Sequence, residues 1–565
     1  PMSLGTPVAT ILGGQGLHDR APPASWCHAE MCSNGRSQVV GSTRIPWTAM
    51  AAVTAACITN RKRSGVWVVQ RRSLKMTTVE ADVDLTVEPL KLKRGVLPNG
   101  MRYVVLRHLV PKGRFEAHLE FHVGSVDEQE DQRGMAHMLE HICFLGSEKR
   151  MQLQSGGLGM TSNACTDFNH TVYYVSIGSE HLSGGLQVLA DVGFQPAFKP
   201  ERVEKERAAV LSEAQMVNDC QYRLQTQFLS ALHDDNCIHT RFPIGLEQQI
   251  ASWSVEELRK FHSRWYVPEN ATLFIVGDID EEETIREVEN SFSSIPKAGL
   301  SIGDPWQYDA NSLLRPVVEG RPEILHRFVQ AAEVPGDSVP SWKEWRDDLK
   351  ISVATNDLMQ GMQVTWAAKM PLSNARSLQG LSDWLCQRLV VEAVRLRFSS
   401  RWRSGVIPCS LHSYDSAREA VTITTLTIMA EPSRWQDRCE EVLQEVLTIT
   451  RHGVAEDELD LAKRMCLDRV AEAAASQPWS FMGTLYGHDA AGTSREVVEA
   501  LIASTPADHL LTSAPSFNEA LQQVAKEIDL PTFNASLRSM LSFLGPAENA
   551  RGTVIVSCPA SAWAS

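Results

Sequence analysis

The chain lacks an excess of basic residues, as its charge balance shows. Its 565 residues hold 54 Lys and Arg against 68 Asp and Glu, which gives a formal net charge of −14 and a pI near 5.7. This balance argues against a nucleic-acid-binding protein, because such proteins usually carry a basic surface. An acidic surface instead suits basic ligands.

Paired cysteine motifs and long apolar runs are also missing. The twelve cysteines include no CxxC pair, so we expect reduced thiols in an intracellular compartment instead of a disulfide framework. A membrane-spanning helix needs roughly 18 apolar residues. The nearest run, residues 47–58, is short and interrupted by threonines, so the sequence predicts no membrane span.

The N-terminal region lacks acidic residues for most of its length. Asp19 and Glu30 are the only acids before Glu80, whereas residues 1–90 contain nine Lys and Arg. Together with abundant Ser and Ala, this composition is typical of an organelle transit peptide. The alternative is a disordered tail or a wrongly assigned gene start. In either case we leave residues 1–90 out of the predicted fold.

Strand and helix patterns alternate beyond residue 90. The Asn99–Gly100 turn predicts a hairpin, residues 114–125 alternate like a half-buried strand, and residues 134–145 predict a helix. A long charged helix is predicted over residues 201–225. This succession predicts an α+β domain that spans residues 91–295.

A second unit shows a similar succession of strand and helix patterns. A stretch rich in Pro, Gly and Asp, residues 296–345, predicts a linker. Strand and helix patterns then return over residues 346–565, without a counterpart of the motif described next. The sequence therefore predicts a duplicated domain in which one copy keeps the chemistry.

The motif HMLEH places His137, Glu140 and His141 within five residues. On a helix, positions i and i+4 share a face, so the two imidazoles can converge on one ion. Glu140 lies beside them, where a carboxylate can take a proton from a water molecule. The HxxEH order is a metallopeptidase pattern. Two solvated histidines on a helix face are the alternative.

A catalytic zinc site needs a third protein ligand and one open position. The predicted helix over residues 201–225 offers Glu206 and Glu213, which are two turns apart and therefore share a face. One carboxylate can bind the metal while the other hydrogen-bonds to a ligand. Spacing alone leaves open which residue has which role.

Several stretches resemble the pitrilysin/insulinase family of metallopeptidases. They include DQRGMAHMLEHICFLGSEK, ERAAVLSE and SNACTDFNHTVYYV, the last of which is similar to the family's Asn-Ala edge strand. KLKRGVLPNGMRYVVL and DSAREAVTITTLTIMAEPSRWQ are more similar to its branch of chloroplast stromal processing enzymes than to the mitochondrial or insulin-degrading branches. The resemblance covers about residues 92–558.

This resemblance implies roles for the motif residues. His137, His141 and Glu213 would bind Zn²⁺, the only cofactor implied. Glu140 would be the general base, and Glu206 would be a second acidic residue of the catalytic site that supports the ligands. The implied fold is α+β, with two homologous mixed-sheet domains that form half of a clamshell.

The resemblance also implies a substrate and a partner. Asn163 and Ala164 would lie along the substrate, a basic transit peptide cleaved from an imported precursor in the plastid stroma. A second two-domain half would close the clamshell, as a homodimer, a partner chain or a missing C-terminal half. Relatives often place an Arg and a Tyr in the second domain to hold the tetrahedral intermediate. The corresponding stretch here, RLRFSSRWRSGVIPCS, has arginines but no Tyr after Gly405, so that role is not assigned.

Alternatives remain for both activity and location. A mitochondrial-processing-like or general peptide-degrading peptidase would fit the same motif, in the mitochondrial matrix for the former. An inactive substrate-binding subunit would usually have lost the motif. Two nearby residues are expected to stay outside the metal site. His170 should hydrogen-bond to the backbone at a strand end, and Cys143 should lie in the core.

Overall fold

The computed structural model describes residues 92–299, 321, 324, 326–328, 350–373, 378–403, 405–416, 418–419, 421–476, 493–504, 514–544 and 552–563. The predicted transit peptide and most of the predicted linker lie outside these residues. None of the helices in the described ranges combines the length and the apolar composition that crossing a bilayer requires.

The first unit is built on one mixed sheet. Its strands are β1 (Lys93–Val96), β2 (Arg102–Arg107), β3 (Arg114–Phe121), β4 (Thr161–Thr166), β5 (Thr171–Gly178) and β6 (Ala271–Gly277). Their order is β1-β2-β6-β3-β5-β4, with β2 and β6 parallel and the other pairs antiparallel. The helices are α1 (Met135–Gly146), α2 (Glu148–Ser155), α3 (Leu182–Phe194), α4 (Pro200–Val217), α5 (Cys220–Leu232), α6 (Glu247–Ile250), α7 (Val255–Trp265) and α8 (Glu281–Phe292).

The second unit has a similar arrangement. Its strands are β7 (Lys350–Thr355), β8 (Met362–Pro371), β9 (Cys409–Ser416), β10 (Val421–Ala430) and β11 (Thr553–Cys558), in the order β7-β11-β8-β10-β9. The described helices are α9 (Leu378–Arg401), α10 (Trp435–His452), α11 (Glu456–Ser476), α12 (Ser494–Ser504), α13 (Ala514–Glu527), α14 (Leu530–Leu541) and α15 (Ala560–Trp563). Short 3₁₀ helices cover Ser125–Asp127, Ser179–His181, Cys237–Thr240, Pro268–Asn270 and Ser542–Leu544.

Local sequence signals account for several of these elements. The predicted hairpin is confirmed, because β1 and β2 pair antiparallel around a turn in which Gly100 has a φ of 90°. The Asn99 side chain donates to the carbonyl of Phe292 at 2.8 Å, which ties this turn to the end of α8. Ser254 and Glu257 form a capping box at the start of α7.

The prediction of one continuous helix over residues 201–225 was wrong. The structure divides this region into α4, which ends at Val217, and α5, which begins at Cys220. The Asp219 carboxylate accepts a hydrogen bond from the amide of Tyr222 at 2.8 Å, so it caps a new helix. A charged sequence pattern does not by itself reveal such a break.

The prediction of a half-buried β3 was also wrong, because both faces of β3 are buried. Phe115, Leu119 and Phe121 pack in the core between the sheet and its helices. On the opposite face, Glu116 and Glu120 are only 8% and 2% exposed. Helix α12 of the second unit packs against β3 and β6, so it covers the face that would otherwise meet water.

The two units share a hydrophobic core across this covered face. Val104, Leu106, Val172, Phe274 and Val276 of the first sheet pack with the core of the second unit. Burial of apolar area on this scale is the main source of attraction between packed elements. The second unit therefore completes the burial of the first sheet.

A buried ion pair crosses the same face. Arg418, in the turn between β9 and β10, donates to the Glu120 carboxylate and also to the carbonyl of Ile502 at 3.2 Å. Burial alone would raise the pKa of Glu120, but Arg418, with His122 and His170, holds this pKa well below its usual range. A depressed carboxyl pKa stabilises the fold above a pH of about 4.5, and that contribution is lost as the pH falls further.

We expect Arg418→Met to lower the free energy of unfolding by about 3–5 kcal/mol, because it leaves the Glu120 charge buried without its guanidinium. The matched control is Arg401→Met, whose side chain is 53% exposed and should cost less than about 1 kcal/mol. Urea unfolding followed by circular dichroism measures both. Adding Glu120→Gln to Arg418→Met should recover part of the loss. Equal costs for the two Arg variants would contradict the assignment.

Candidate metal centre

The HMLEH motif lies in the first two turns of α1. His137 is the third residue of the helix, and Glu140 and His141 follow one turn later. Met135, Met138 and Ile142 are fully or almost fully buried in the first core, so the motif is carried by a helix with little freedom to move. The opposing wall is α4, which packs against α1.

The structure brings His137, His141 and Glu213 together. The Nε2 atom of His137 lies 3.7 Å from Glu213 Oε1, and the Nε2 atom of His141 lies 3.4 Å from Glu213 Oε2. One nitrogen or oxygen from each of the three residues lies within 4.8 Å of the other two. The imidazole rings are nearly perpendicular, with centroids 4.8 Å apart.

This donor set fits a zinc ion. Two ligand atoms bonded to tetrahedral Zn²⁺ at about 2.1 Å lie roughly 3.4 Å apart. The distances from the Glu213 carboxylate oxygens to the Nε2 atoms of His141 and His137 are close to this value, at 3.4 and 3.7 Å. Two imidazole nitrogens and one carboxylate oxygen are also the ligand types of catalytic zinc sites, which keep a fourth position open.

Glu206 lies on the other side of the His141 ring. Its Oε2 is 3.9 Å from His141 Nδ1, whereas Glu213 faces Nε2, and the residue is only 2% exposed. Burial alone would lower the pKa of His141, but the carboxylates of Glu206, Glu213 and Glu140 raise it to about 10. The site therefore attracts a cation, which in the absence of metal is the proton of His141.

Glu140 is held by a residue that sequence reasoning missed. The Thr166 hydroxyl donates to Glu140 Oε2 at 3.1 Å, and it lies 3.4 Å from the hydroxyl of Thr171. Thr171 in turn donates to the carbonyl of Val123 at 3.0 Å. Thr166 ends β4, the strand that carries Asn163 and Ala164, so its place in the sequence beside these residues was the available signal.

The β4 strand forms one edge of the first sheet and packs against α1. Among the described residues it pairs with β5 alone. Asn163 and Ala164 lie in its middle and point to opposite faces, because successive side chains of a strand alternate. Ala164 is buried in the first core, whereas Asn163 is half-buried.

Glu128 is a second residue that sequence reasoning missed. It is completely buried, and its carboxylate accepts hydrogen bonds from the amides of Gly134 and Ala136 at the start of α1. Burial raises the pKa of Glu128 to about 8, although these two amides and Arg241 lower it. No local motif signals this contact, because Glu128 lies seven residues before the first residue of the helix.

The partners expected for His170 were wrong. Its Nδ1 lies 3.0 Å from Glu120 Oε1 and its Nε2 lies 3.3 Å from Asp167 Oδ2, so among the described residues its ring nitrogens face carboxylates instead of backbone carbonyls. Cys143 is fully buried, as expected for a core residue. Burial raises the pKa of the Cys143 thiol far above its usual range.

A second group of potential ligands, His233, Asp235 and His326, already surrounds a cation. The Lys369 ammonium donates to both Asp235 oxygens at 2.6 and 2.8 Å and lies 3.3 Å from His326 Nδ1. Burial, together with Lys369, lowers the pKa of His233 well below its usual value and that of His326 to about 4. This cluster is therefore neutralised by a lysine.

Comparison with known sequences places this geometry in context. Residues 103–247 match the insulinase domain of peptidase family M16, and residues 252–466 match the M16 inactive domain. The chain is 36% identical over 475 residues to the chloroplastic stromal processing peptidase of Arabidopsis thaliana, covering 75% of this chain and 36% of that protein. It is 25% identical over 401 residues to a probable zinc protease, PqqL, of Escherichia coli strain K12, covering 68% and 39%.

The chain spans about a third of the length of the stromal processing peptidases that it matches. Among solved structures, the first half of the periplasmic protease PqqL from Escherichia coli superposes with a TM-score of 0.65 at 20% identity, covering 85% of this chain and 94% of that one. The ferredoxin protease FusC, in a mutant form with Arabidopsis ferredoxin, gives 0.65 at 19% identity, covering 84% and 48%. These similarities confirm the predicted α+β fold of two related units.

We expect the affinity for Zn²⁺ to rise with pH up to a pH of about 10, because the metal must displace a proton from His141. Near neutral pH the binding of one zinc ion should release about one proton, which corresponds to roughly a tenfold gain in affinity per pH unit. Competition with a chromogenic chelator at pH 6, 7 and 8 measures this slope. An affinity independent of pH would contradict the cation-attracting site.

Proposed function

The chain belongs to the insulinase family of peptidases, M16, and from this membership we propose that it is a zinc endopeptidase that removes transit peptides from precursors imported into the plastid stroma. The observation that carries the proposal is the convergence of His137, His141 and Glu213 beside Glu140. The 36% identity to a chloroplastic stromal processing peptidase supports the choice of substrate and compartment.

In the proposed site, His137, His141 and Glu213 hold Zn²⁺, the metal named for several relatives. When bound, zinc polarises the scissile carbonyl and lowers the pKa of a water molecule towards about 7. Glu206 lies beside Nδ1 of His141 and so keeps the other ring nitrogen, Nε2, turned towards the metal position. The three protein ligands would leave the fourth coordination position of the metal open for water or substrate.

Glu140 acts as the general base. It takes the proton of the attacking water and passes it to the amine of the leaving peptide. The hydrogen bond from Thr166 to Glu140 Oε2 fixes the orientation of this carboxyl group. Thr166 therefore prepares the base for proton transfer, and Glu140 is buried enough, at 9% exposure, to be shielded from bulk water.

The substrate lies along β4 in an extended conformation. An exposed strand edge offers backbone donors and acceptors to an added strand, which gives affinity with little dependence on sequence. Asn163 and Ala164 lie at the middle of this edge, beside the helix that carries the metal ligands. Such binding suits transit peptides that share a basic character but no common sequence.

The net charge of the chain supports the proposed substrate, and the length of its relatives supports the proposed partner. The net charge of −14 attracts basic peptides. A second two-domain half is the proposed partner that closes over the substrate, because PqqL is matched by its first half and the plant relatives are about three times longer than the aligned part. The stroma is the proposed location.

We expect Glu140→Gln to lower the rate of precursor cleavage by about 10³-fold, because a general base contributes 10²–10⁴-fold. Zinc content should remain unchanged, since Glu140 is not a ligand. The matched control is Glu201→Gln, an exposed residue of α4, which should cleave as the wild type does. Gel assays of a radiolabelled plastid precursor measure the rate, and atomic absorption measures zinc. Undiminished cleavage by Glu140→Gln would refute the mechanism.

The substrate class is tested separately. We expect a plastid precursor to be cleaved at its mature boundary at least tenfold faster than a mitochondrial precursor of similar length, and cleavage to stop on chelation. If the chain is inactive alone, the C-terminal half of a plant relative is added in equal amount. Equal cleavage of both precursors would favour a general peptide-degrading enzyme. A chain that purifies without zinc and never cleaves would favour a silent subunit.

A further inference from the structure

The start of α1 is capped in an unusual way. The first amide groups of a helix have no acceptor within the helix, and a side chain at the N-cap usually supplies one. Here the N-cap residue is Gly134, which has no side chain. Glu128 replaces it: its Oε2 accepts from the Gly134 amide at 2.9 Å and its Oε1 from the Ala136 amide at 2.8 Å.

The backbone at Gly134 excludes an ordinary cap. Its φ of 100° is strained for any residue with a side chain, and a Cβ there would lie 2.7 Å from the Cα of Gly245. A Ser or Asp could not occupy this position without displacing the 242–246 segment. The cap therefore has to come from elsewhere in the chain.

Glu128 is itself held firmly in place. Its amide donates to the carbonyl of Ser125 at 3.3 Å, and its carbonyl accepts from Arg241 Nε at 3.0 Å. The residue has no exposed surface. Because the loop, the carboxylate and the helix start are joined by these contacts, the position of Glu128 sets the position of the first turn of α1.

We propose that Glu128 is a positioning residue for the metal centre, acting through the first turn of α1 on the ligand His137. His137 directly follows Ala136, whose amide Glu128 binds. In its ionised form, the Glu128 carboxylate also interacts favourably with the N-terminal end of the helix dipole. Loss of the cap frays the first turn and moves His137 away from His141 and Glu213. This inference rests on the proposed metal site.

The experiment compares two cap deletions in the same chain. Glu128→Gln and Glu128→Ala remove one or both acceptors at α1, whereas Ser254→Ala removes the side-chain cap of α7, a helix that carries no proposed metal ligand. The zinc dissociation constant is measured with a competing chelator at pH 8.5, above the pKa of Glu128. Thermal unfolding without metal gives the stability of each variant.

We expect the zinc dissociation constant to rise about tenfold in Glu128→Gln and about 100-fold in Glu128→Ala, the range seen when supporting groups of metal ligands are removed. Ser254→Ala should stay within twofold of the wild type despite a comparable fall in melting temperature. Unchanged zinc affinity in both Glu128 variants would overturn the proposal. A loss of zinc affinity in Ser254→Ala in proportion to its loss of stability would also overturn the proposal.

Amide hydrogen exchange of the metal-free protein provides a readout that does not depend on zinc. Exchange at Gly134 or Ala136 should become at least tenfold faster in Glu128→Gln, whose side chain keeps one acceptor for the two amides, with exchange in α7 unchanged. If Glu128→Ala fails to fold, Glu128→Gln decides the question by these two measurements. Failure of the proposed function looks different, since His137→Ala and Glu213→Gln would then bind zinc as the wild type does. Full protection of both the Gly134 and the Ala136 amides in Glu128→Gln would overturn the proposed cap.

Discussion

The outer face of the first sheet must be covered, and the rest of the structure depends on how this is done. The face carries apolar residues such as Val104 and Phe274 together with the buried Glu120. Apolar area is removed from water by the second unit, and the Glu120 charge is met by Arg418 from the same unit. An unpaired buried charge is costly, so the two units can adopt only the narrow range of relative positions that keeps this ion pair formed. The second unit is thus part of the platform that supports α1, the helix of the proposed metal ligands.

The opposite face of the sheet supports the proposed chemistry. Helix α1 lies in a dry, packed environment, and α4 turns Glu206 and Glu213 towards its two histidines. In such surroundings electrostatic interactions are stronger than in water, so a cation is strongly favoured at this point. The contacts of Glu140 with Thr166 then connect the centre to the strand that is proposed to bind the substrate. The proposed metal binding, base orientation and substrate alignment therefore depend on three adjacent elements of one unit.

Much of this arrangement was predictable from the sequence, for definable reasons. The i, i+4 spacing of His137 and His141 is a local property of a helix, and the order of strands and helices follows from apolar periodicity. The choice of Glu213 over Glu206 required the family resemblance, because two residues on one helix face are equivalent by spacing. Glu128 could not be found in this way, and the available signal for Thr166 was its place beside Asn163 and Ala164. The contacts of both residues join segments whose meeting depends on the tertiary fold. The full burial of β3 was missed because its polar alternation is satisfied by the second unit and not by water.

The shared face has a consequence for the order in which the chain can complete its fold during synthesis. The first sheet is finished when β6 leaves the ribosome, but α12, which covers it, is encoded about 200 residues later. At about 5–20 residues per second, the interval is roughly 10–40 s. Throughout that time an apolar surface interrupted by the carboxylate of Glu120 faces water. The hydrated charge in its centre makes this surface less adhesive than a purely apolar one, and the same carboxylate later receives Arg418.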